Sequence, residues 1–166
     1  MSQNFNFIIA ALLFLSSLHM EAAENCTSSR KVAVCSEESI KEKVNWACQE
    51  LEKKGKLALL SINAMRFECC GEPNYVWIND SKPKMIIHPL KPNMNGMNLK
   101  DEQDPTGKNI FVEFTSAATR SPAGSWVSYQ WVKFGEKTPT QKKSWVRSCK
   151  VKDIPDPWIV GSGTWE

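Results

Sequence analysis

A handful of side chains in this 166-residue chain have the chemistry to hold a small molecule. His88 precedes Pro89 at the end of an alternating run. An imidazole there can donate to a ligand oxygen, and near neutral pH its charge can respond to that ligand. Tyr129 and Trp131 share one face of the run Gly124 to Phe134, GSWVSYQWVKF, with Trp126 on the opposite face beside Ser128, Gln130 and Val132. Trp126 and Trp145 are expected to add aromatic walls. Lys143 can place an ammonium near a carboxylate, and Arg66 can grip one with its planar fork. Aromatic walls with a few convergent polar groups are how proteins bind small organic molecules. Each residue also has a plainer use, since strand aromatics fill cores and exposed cations form weak surface pairs.

The pattern points away from catalysis. Gly161-Ser162-Gly163 lacks the full nucleophile-elbow spacing, and a triad would have to use His88, because the other histidine, His19, lies in an N-terminal leader. Glu113 could pair with Asp101 or Asp104, but helix-face and turn roles explain all three. No phosphate-binding glycine loop occurs. The cysteines lack a Cys-x-x-Cys pair or a histidine at finger spacing, so no metal or other cofactor is called for. With 21 basic and 18 acidic residues the net charge is only +3. Lys142, Lys143, Arg147, Lys150 and Lys152 cluster, yet strand alternation sends them to different faces, which argues against nucleic acid as a partner.

The segment Met1 to Ala23 has an apolar core from Phe7 to Leu18 followed by small residues, and reads as a cleaved signal peptide. Its apolar run falls short of the roughly 20 residues a bilayer requires. The expected product is a single domain, residues 24–166, with no stable membrane insertion and a periplasmic or secreted location. Export suits the six cysteines, Cys26, Cys35, Cys48, Cys69, Cys70 and Cys149, as disulfide partners; about 15 pairings are open. Cys69 and Cys70 are adjacent and should pair elsewhere, with Cys149 a candidate partner for one of them. Asn25 and Asn79 each begin an Asn-x-Ser/Thr sequon, and Asn79, beside a turn, is expected to be accessible.

These residues need elements to position them. Ser36 to Lys54 has apolar residues at three- and four-residue spacing, Ser36 as N-cap and Gly55 as stop, and predicts a helix. Lys56 to Phe67 predicts a second, with Leu59, Leu60 and Ile62 beneath a sheet. Asn74 to Asp80 and Met85 to Leu90 predict a strand hairpin around Pro83. Lys91 to Lys108 is rich in Pro, Asn, Gly and Asp and predicts a crossing loop, with Asp104-Pro105-Thr106-Gly107 its clearest turn. Asn109 to Thr119 regains helical spacing. Gly124 to Phe134, Lys142 to Lys150 and Pro157 to Glu166 close the chain as three strands holding five of the seven tryptophans. The order gives an α+β domain, a five-stranded antiparallel sheet with helices laid against it.

Six ordered pieces carry a resemblance: IIHP, NGMNL, DPTGK, GSWVSYQW, KKSWV and WIVGSGTW. From about Asn74 to its end the chain resembles the Cache sensor domain in its single-domain form, a PAS-like fold. That family shows His-Pro ending the second strand, Asp-Pro-x-Gly before a helix, Gly-Trp-Val-x-Tyr-x-Trp, Lys-x-Ser-Tyr-Val and a closing Gly-x-Gly-x-Tyr. The resemblance implies a pocket between sheet and crossing loop for a small organic ligand, such as a short carboxylate. It also implies a signal passed to a membrane signalling partner, here from a stand-alone exported protein. The chain departs from the pattern where Ser125 precedes Trp126 and where Trp145 and Trp165 stand in place of tyrosines. An exported protein-interaction module that kept the fold and lost the ligand is the alternative. An open cavity walled by His88, Tyr129 and Trp131 favours binding; one plugged by Trp145 favours the interaction module.

Overall fold

The computed structural model describes residues 35–69, 72–133 and 135–166. The leader, Cys26, Cys70 and the Asn25 sequon lie outside them. Helix α1, Glu37–Lys54, begins where the Ser36 hydroxyl accepts a bond from the Ser39 amide at 3.1 Å. Glu37 and Glu38 occupy its first turn, at the positive end of the dipole. Its buried stripe is Ile40, Val44, Ala47, Cys48 and Leu51, as the spacing predicts.

The next segment departs from expectation. A 3₁₀ turn at Gly55–Leu57 leads into a seven-residue helix α2, Ala58–Ala64. So short a helix buries Ala58 and Ile62 while Leu57 and Leu60 remain 77% and 78% exposed. Leu60 therefore does not lie beneath the sheet. Phe67–Cys69 is not helical; it forms β1 and pairs antiparallel with β2, Glu72–Asn74, in a separate two-stranded sheet.

Five strands form the main sheet: β3 (Trp77–Asp80), β4 (Met85–Ile87), β5 (Ser125–Val132), β6 (Pro139–Val151) and β7 (Ile154–Trp165). They lie in the order β4-β3-β7-β6-β5 and every neighbouring pair is antiparallel. The last strand thus sits in the middle, so both halves of the chain must be in place before the sheet closes. Helix α1 covers one face, sharing a core with Ile78, Cys149, Trp158 and Val160. Helix α3, Ile110–Arg120, covers the other with Trp77, Tyr129, Val146 and Ile159. Alternation along β6 sends Ser144 and Val146 to the α3 side and Trp145 and Cys149 to the α1 side.

The crossing loop is pinned by one buried carboxylate. Asp104 Oδ1 accepts from the amides of Thr106 (2.9 Å) and Lys108 (3.1 Å), while Oδ2 accepts from the Gln130 amide of β5 at 3.0 Å. Burial opposes the charge, but the Thr106 hydroxyl and the backbone amides of Gln130, Lys108 and Thr106 outweigh it and bring the carboxyl down to about 2.

Two expectations need correction. Cys149 pairs with Cys48, not with Cys69 or Cys70, and Cys69 pairs with Cys35. The reason is position along the α1 side of β6: Cys149 meets Cys48 there, whereas Cys69 lies with Cys35, Ile40, Trp126 and Trp145 nearer the start of the strand. Asn79 is fully buried on the α3 side, where its amide donates to the Asp80 carbonyl at 2.9 Å, so this sequon is not accessible. The Cys48–Cys149 bond closes a loop across a separation of 101 residues. Replacing both cysteines with alanine is expected to cost about 3 kcal/mol or more. Urea unfolding of the oxidised protein measures it, and an unchanged midpoint would show that the bond contributes nothing.

Candidate functional site

Between the sheet and helix α3 lies a chamber walled by Tyr75, Trp77, His88, Ile110, Phe111, Phe114, Tyr129 and Trp131. Three of the side chains expected at a site, His88, Tyr129 and Trp131, meet here. Its volume is about 10 Å³, roughly the room one water occupies. The rings lock one another in place: Phe114 meets Trp77 at 5.2 Å and Tyr129 at 5.0 Å, and Tyr75 meets His88 at 4.8 Å between centroids.

The sheet floor is shaped by two residues without side chains. Gly161 is opposite Trp77, and a Cβ on it would overlap the Trp77 ring. Gly163 is opposite Ser144; a Cβ there would lie 2.8 Å from Lys142 Cε and 2.6 Å from the Lys143 carbonyl oxygen. The Gly-x-Gly of the closing strand thus admits the Trp77 ring at one position and the Lys142 stem at the next.

Lys142 is the residue that sequence reasoning passed over. It pairs with Tyr129 on β5 and Trp165 on β7, and only 2% of it is exposed. Its ammonium lies 4.6 Å from the Trp165 ring centroid and 5.2 Å from that of Tyr75, and among the described residues no carboxylate bridges it. Burial, helped by the nearby Lys91 charge, brings it down to about 7. Lys91 itself, half-buried, stands with its ammonium 4.0 Å from the Trp131 centroid.

The polar groups of the wall are mainly donors. His88 Nδ1 accepts from the Lys91 amide at 3.0 Å, which leaves Nε2 to carry the proton. Burial, then Lys142 and Lys91, hold this imidazole down at about 3, so it is neutral near pH 7 and its charge does not respond to a ligand there. Burial raises both Tyr75 and Tyr129 above the ordinary phenol range, so both hydroxyls keep their protons, and that of Tyr129 bonds with Ser144 Oγ at 2.8 Å. The Trp77 indole N–H is buried and has no acceptor among the described residues.

The other expected residues lie elsewhere. Lys143 points to the α1 side and pairs with Glu37 at 2.7 Å, because alternation reverses its face relative to Lys142. Trp126 and Trp145 stack edge to face at 5.4 Å on that same side, beneath Lys41, so Trp145 does not plug the chamber. Arg66 is exposed and donates to the carbonyls of Met65 at 2.8 Å and Pro89 at 3.5 Å. Tyr75 and Trp77 went unnoticed, although they alternate on one face of NYVWIND.

Gly163→Ala is expected to force Lys142 and Ser144 aside and to destabilise the fold by about 1–3 kcal/mol. Denaturant unfolding checks this; a variant as stable as the parent would mean that the Lys142 stem does not lie across the glycine.

The Cache domain family model matches residues 32–166. Over 108 residues, 65% of this chain, the sequence is 37% identical to the methyl-accepting chemotaxis protein McpP of Pseudomonas putida KT2440; the chain spans 18% of that receptor's length. A Cache chemosensory domain described for carboxylic acid recognition superposes with a TM-score of 0.63 at 30% identity, covering 77% of this chain and 91% of its own. The periplasmic sensor domain of a chemotaxis protein gives 0.59 at 30% identity, covering 77% and 88%. A methyl-accepting chemotaxis protein of Vibrio parahaemolyticus, 20% identical, shares the fold at a TM-score of 0.64 over 77% and 86%. Among the described residues no helix is long and apolar enough to cross a membrane. The family match, the shared fold and the chamber between sheet and α3 converge: the chain belongs to the Cache domain family, extracytoplasmic sensor modules that bind ligands and signal rather than catalyse.

Proposed function

We propose that this protein is an extracytoplasmic receptor domain for a short monocarboxylate and passes occupancy to a membrane signalling partner. The observation that carries this reading is the buried Lys142 ammonium, which no carboxylate among the described residues bridges, beside a wall of donors. Trp77 Nε1, His88 Nε2 and the hydroxyls of Tyr75 and Tyr129 can all donate to an anion's oxygens, while the phenyl rings suit a short alkyl end. Lys91 adds positive potential without a bridging acid among the described residues. The similarity to a domain described for carboxylic acid recognition supports the same class of ligand. A second reading, an exported interaction module that keeps the fold without a ligand, draws on the tightness of the chamber, which is about 10 Å³.

Calorimetric titration with acetate and propionate separates the two. At about 100 times its dissociation constant a ligand adds roughly 2.7 kcal/mol to stability, so a thermal midpoint shift of a few degrees accompanies binding. Lys142→Met is expected to weaken acetate at least about 30-fold, the effect of removing a buried charged partner. Absence of heat and of any midpoint shift with the parent protein supports the interaction module instead.

Binding is also expected to depend on pH. The folded Lys142 value, about 7, lies below its ordinary 10.5, so the ligand-free fold binds fewer protons than the unfolded chain between those values. Its stability therefore rises with pH across that window. A bound carboxylate restores the ammonium, so binding takes up a proton and the dissociation constant should rise about tenfold per unit above pH 7. His88 stays neutral and the two tyrosines stay protonated there, which leaves Lys142 as the titrating group, with Lys91 the nearby cation. Titrations from pH 6 to 9 in buffers of different ionisation enthalpy read the proton uptake directly, and a constant affinity would refute the coupling.

A further inference from the structure

We propose that the short segment after helix α1 is a docking surface for an anionic lipid membrane, with Leu57 and Leu60 entering the headgroup layer and the lysines around them meeting lipid phosphates. This segment packs on the α1 side of the sheet, whereas the chamber lies on the α3 side, so the two surfaces work independently. Leu57 and Leu60 are 77% and 78% exposed. The other exposed large apolar side chains among the described residues, Met97 and Val112, stand singly on the crossing loop and on α3. Leu57 has helical backbone, φ −64° and ψ −24°, so it and Leu60, three residues on, project from one face. Lys56 and Ala64, four residues to either side of Leu60, are also exposed and extend that face.

The fold holds the leucines out on a firm base. Gly55 has φ 59°, and a Cβ there would lie 2.7 Å from the Lys152 carbonyl oxygen, so α1 ends at a residue that needs glycine. The Lys152 amide donates to the Leu51 carbonyl at 3.0 Å, which seats the β6–β7 turn against the end of α1. Beyond Gly55, Ala58 and Ile62 are fully buried in one core with Val44 and Leu51. With that face moored inside, the opposite face must point to solvent.

Charge and size select the occupant. From Glu50 to Arg66, together with the turn at Lys152 and Asp153, the cations are Lys53, Lys54, Lys56, Arg66 and Lys152, against the acids Glu50, Glu52 and Asp153. Lys54 and Glu50 cancel in a bridge at 2.6 Å. Among the described residues no acid bridges Lys53, Lys56 or Lys152. An apolar pair rimmed by unbridged lysines complements a surface that is negative outside and apolar just beneath. Lysine stems lie along such apolar material while their ammoniums stay at the phosphates. A second copy of the chain fits less well, because a stable protein interface buries about 800 Å² per partner and two leucines supply only a small part of that. A two-fold contact would also bring the same cations together from both sides.

The test uses the oxidised protein without residues 1–23, the segment that reads as a cleaved leader, and co-sedimentation with vesicles. One set of vesicles is made of equal parts phosphatidylglycerol and phosphatidylcholine, the other of phosphatidylcholine alone. The parent should partition onto the anionic vesicles at least about tenfold more strongly than onto the neutral ones, and about 0.5 M salt should release it. Leu57→Ser combined with Leu60→Ser, at sites too exposed to affect folding, should weaken that partition at least about tenfold. Lys56→Glu combined with Lys152→Glu should weaken it as much or more, since each charge near such a surface is worth about fivefold. A parent that does not bind the anionic vesicles overturns the proposal. A leucine variant that binds them as the parent does reduces the contact to plain charge adsorption and overturns the docking surface. Sedimentation velocity that finds a parent dimer absent from the leucine variant assigns the face to a second copy, and overturns the lipid reading likewise.

Discussion

A lysine ammonium enclosed among aromatic rings, with no carboxylate among the described residues to neutralise it, is the constraint around which this domain is arranged. Taking a cation out of water costs several kcal/mol, and an acid partner normally repays part of that. Lys142 instead has the faces of Tyr75 and Trp165 within 4.6–5.2 Å, and ring quadrupoles compensate only in part. The stem can reach this place only because Gly163 offers no side chain beneath it. The fold therefore encloses a lysine whose charge the surrounding described residues offset only in part.

Holding such a site requires rigidity around it, and the surrounding hydrogen bonds supply that. Asp104 joins the crossing loop to β5, and the loop in turn presents Lys91 to both His88 and Trp131. The Asn95 side chain accepts from the His88 amide at 2.7 Å, fixing the imidazole from its backbone side. His88 thus holds the crossing loop, as its structural reading in the sequence expects, while its ring also lines the chamber. Its fixed tautomer is what makes it a neutral donor.

Elements with strong periodicity were legible in the sequence. Helix α1, helix α3 and the three closing strands all announce themselves by spacing, and six ordered motifs pointed to the family. What failed was local and had physical causes. Lys56 to Phe67 contains good helix formers, but pairing of Phe67–Cys69 with Glu72–Asn74 overrode propensity. The β4-β3-β7-β6-β5 order is set by tertiary pairing that no local pattern encodes. At the site, His88, Tyr129 and Trp131 meet on one wall, while Lys143, expected beside them, faces α1 and its neighbour Lys142 faces the other side of the sheet. Alternation from Tyr129 through its partner strand separates Lys142 from Lys143 only when the register is known, since a slip of one residue exchanges their faces. The glycines of the closing strand also carried a signal: two on one face of a buried strand imply that something lies across them.

Helix α1 and strand β6 are fastened at three successive points: Glu37 to Lys143, Asn45 to Arg147 at 2.6 Å, and Cys48 to Cys149. From the first tie to the second the helix advances about 12 Å and the strand about 13 Å, so two different repeats come into step. A helix bound to a strand at matched intervals cannot slide along it or pivot about a single contact. Strand β6 bears Lys142 on its other face, one residue before the first of those fastenings. Any shift that the ammonium imposes on its strand is therefore carried whole into the helix, as one lever with a covalent rivet at one end.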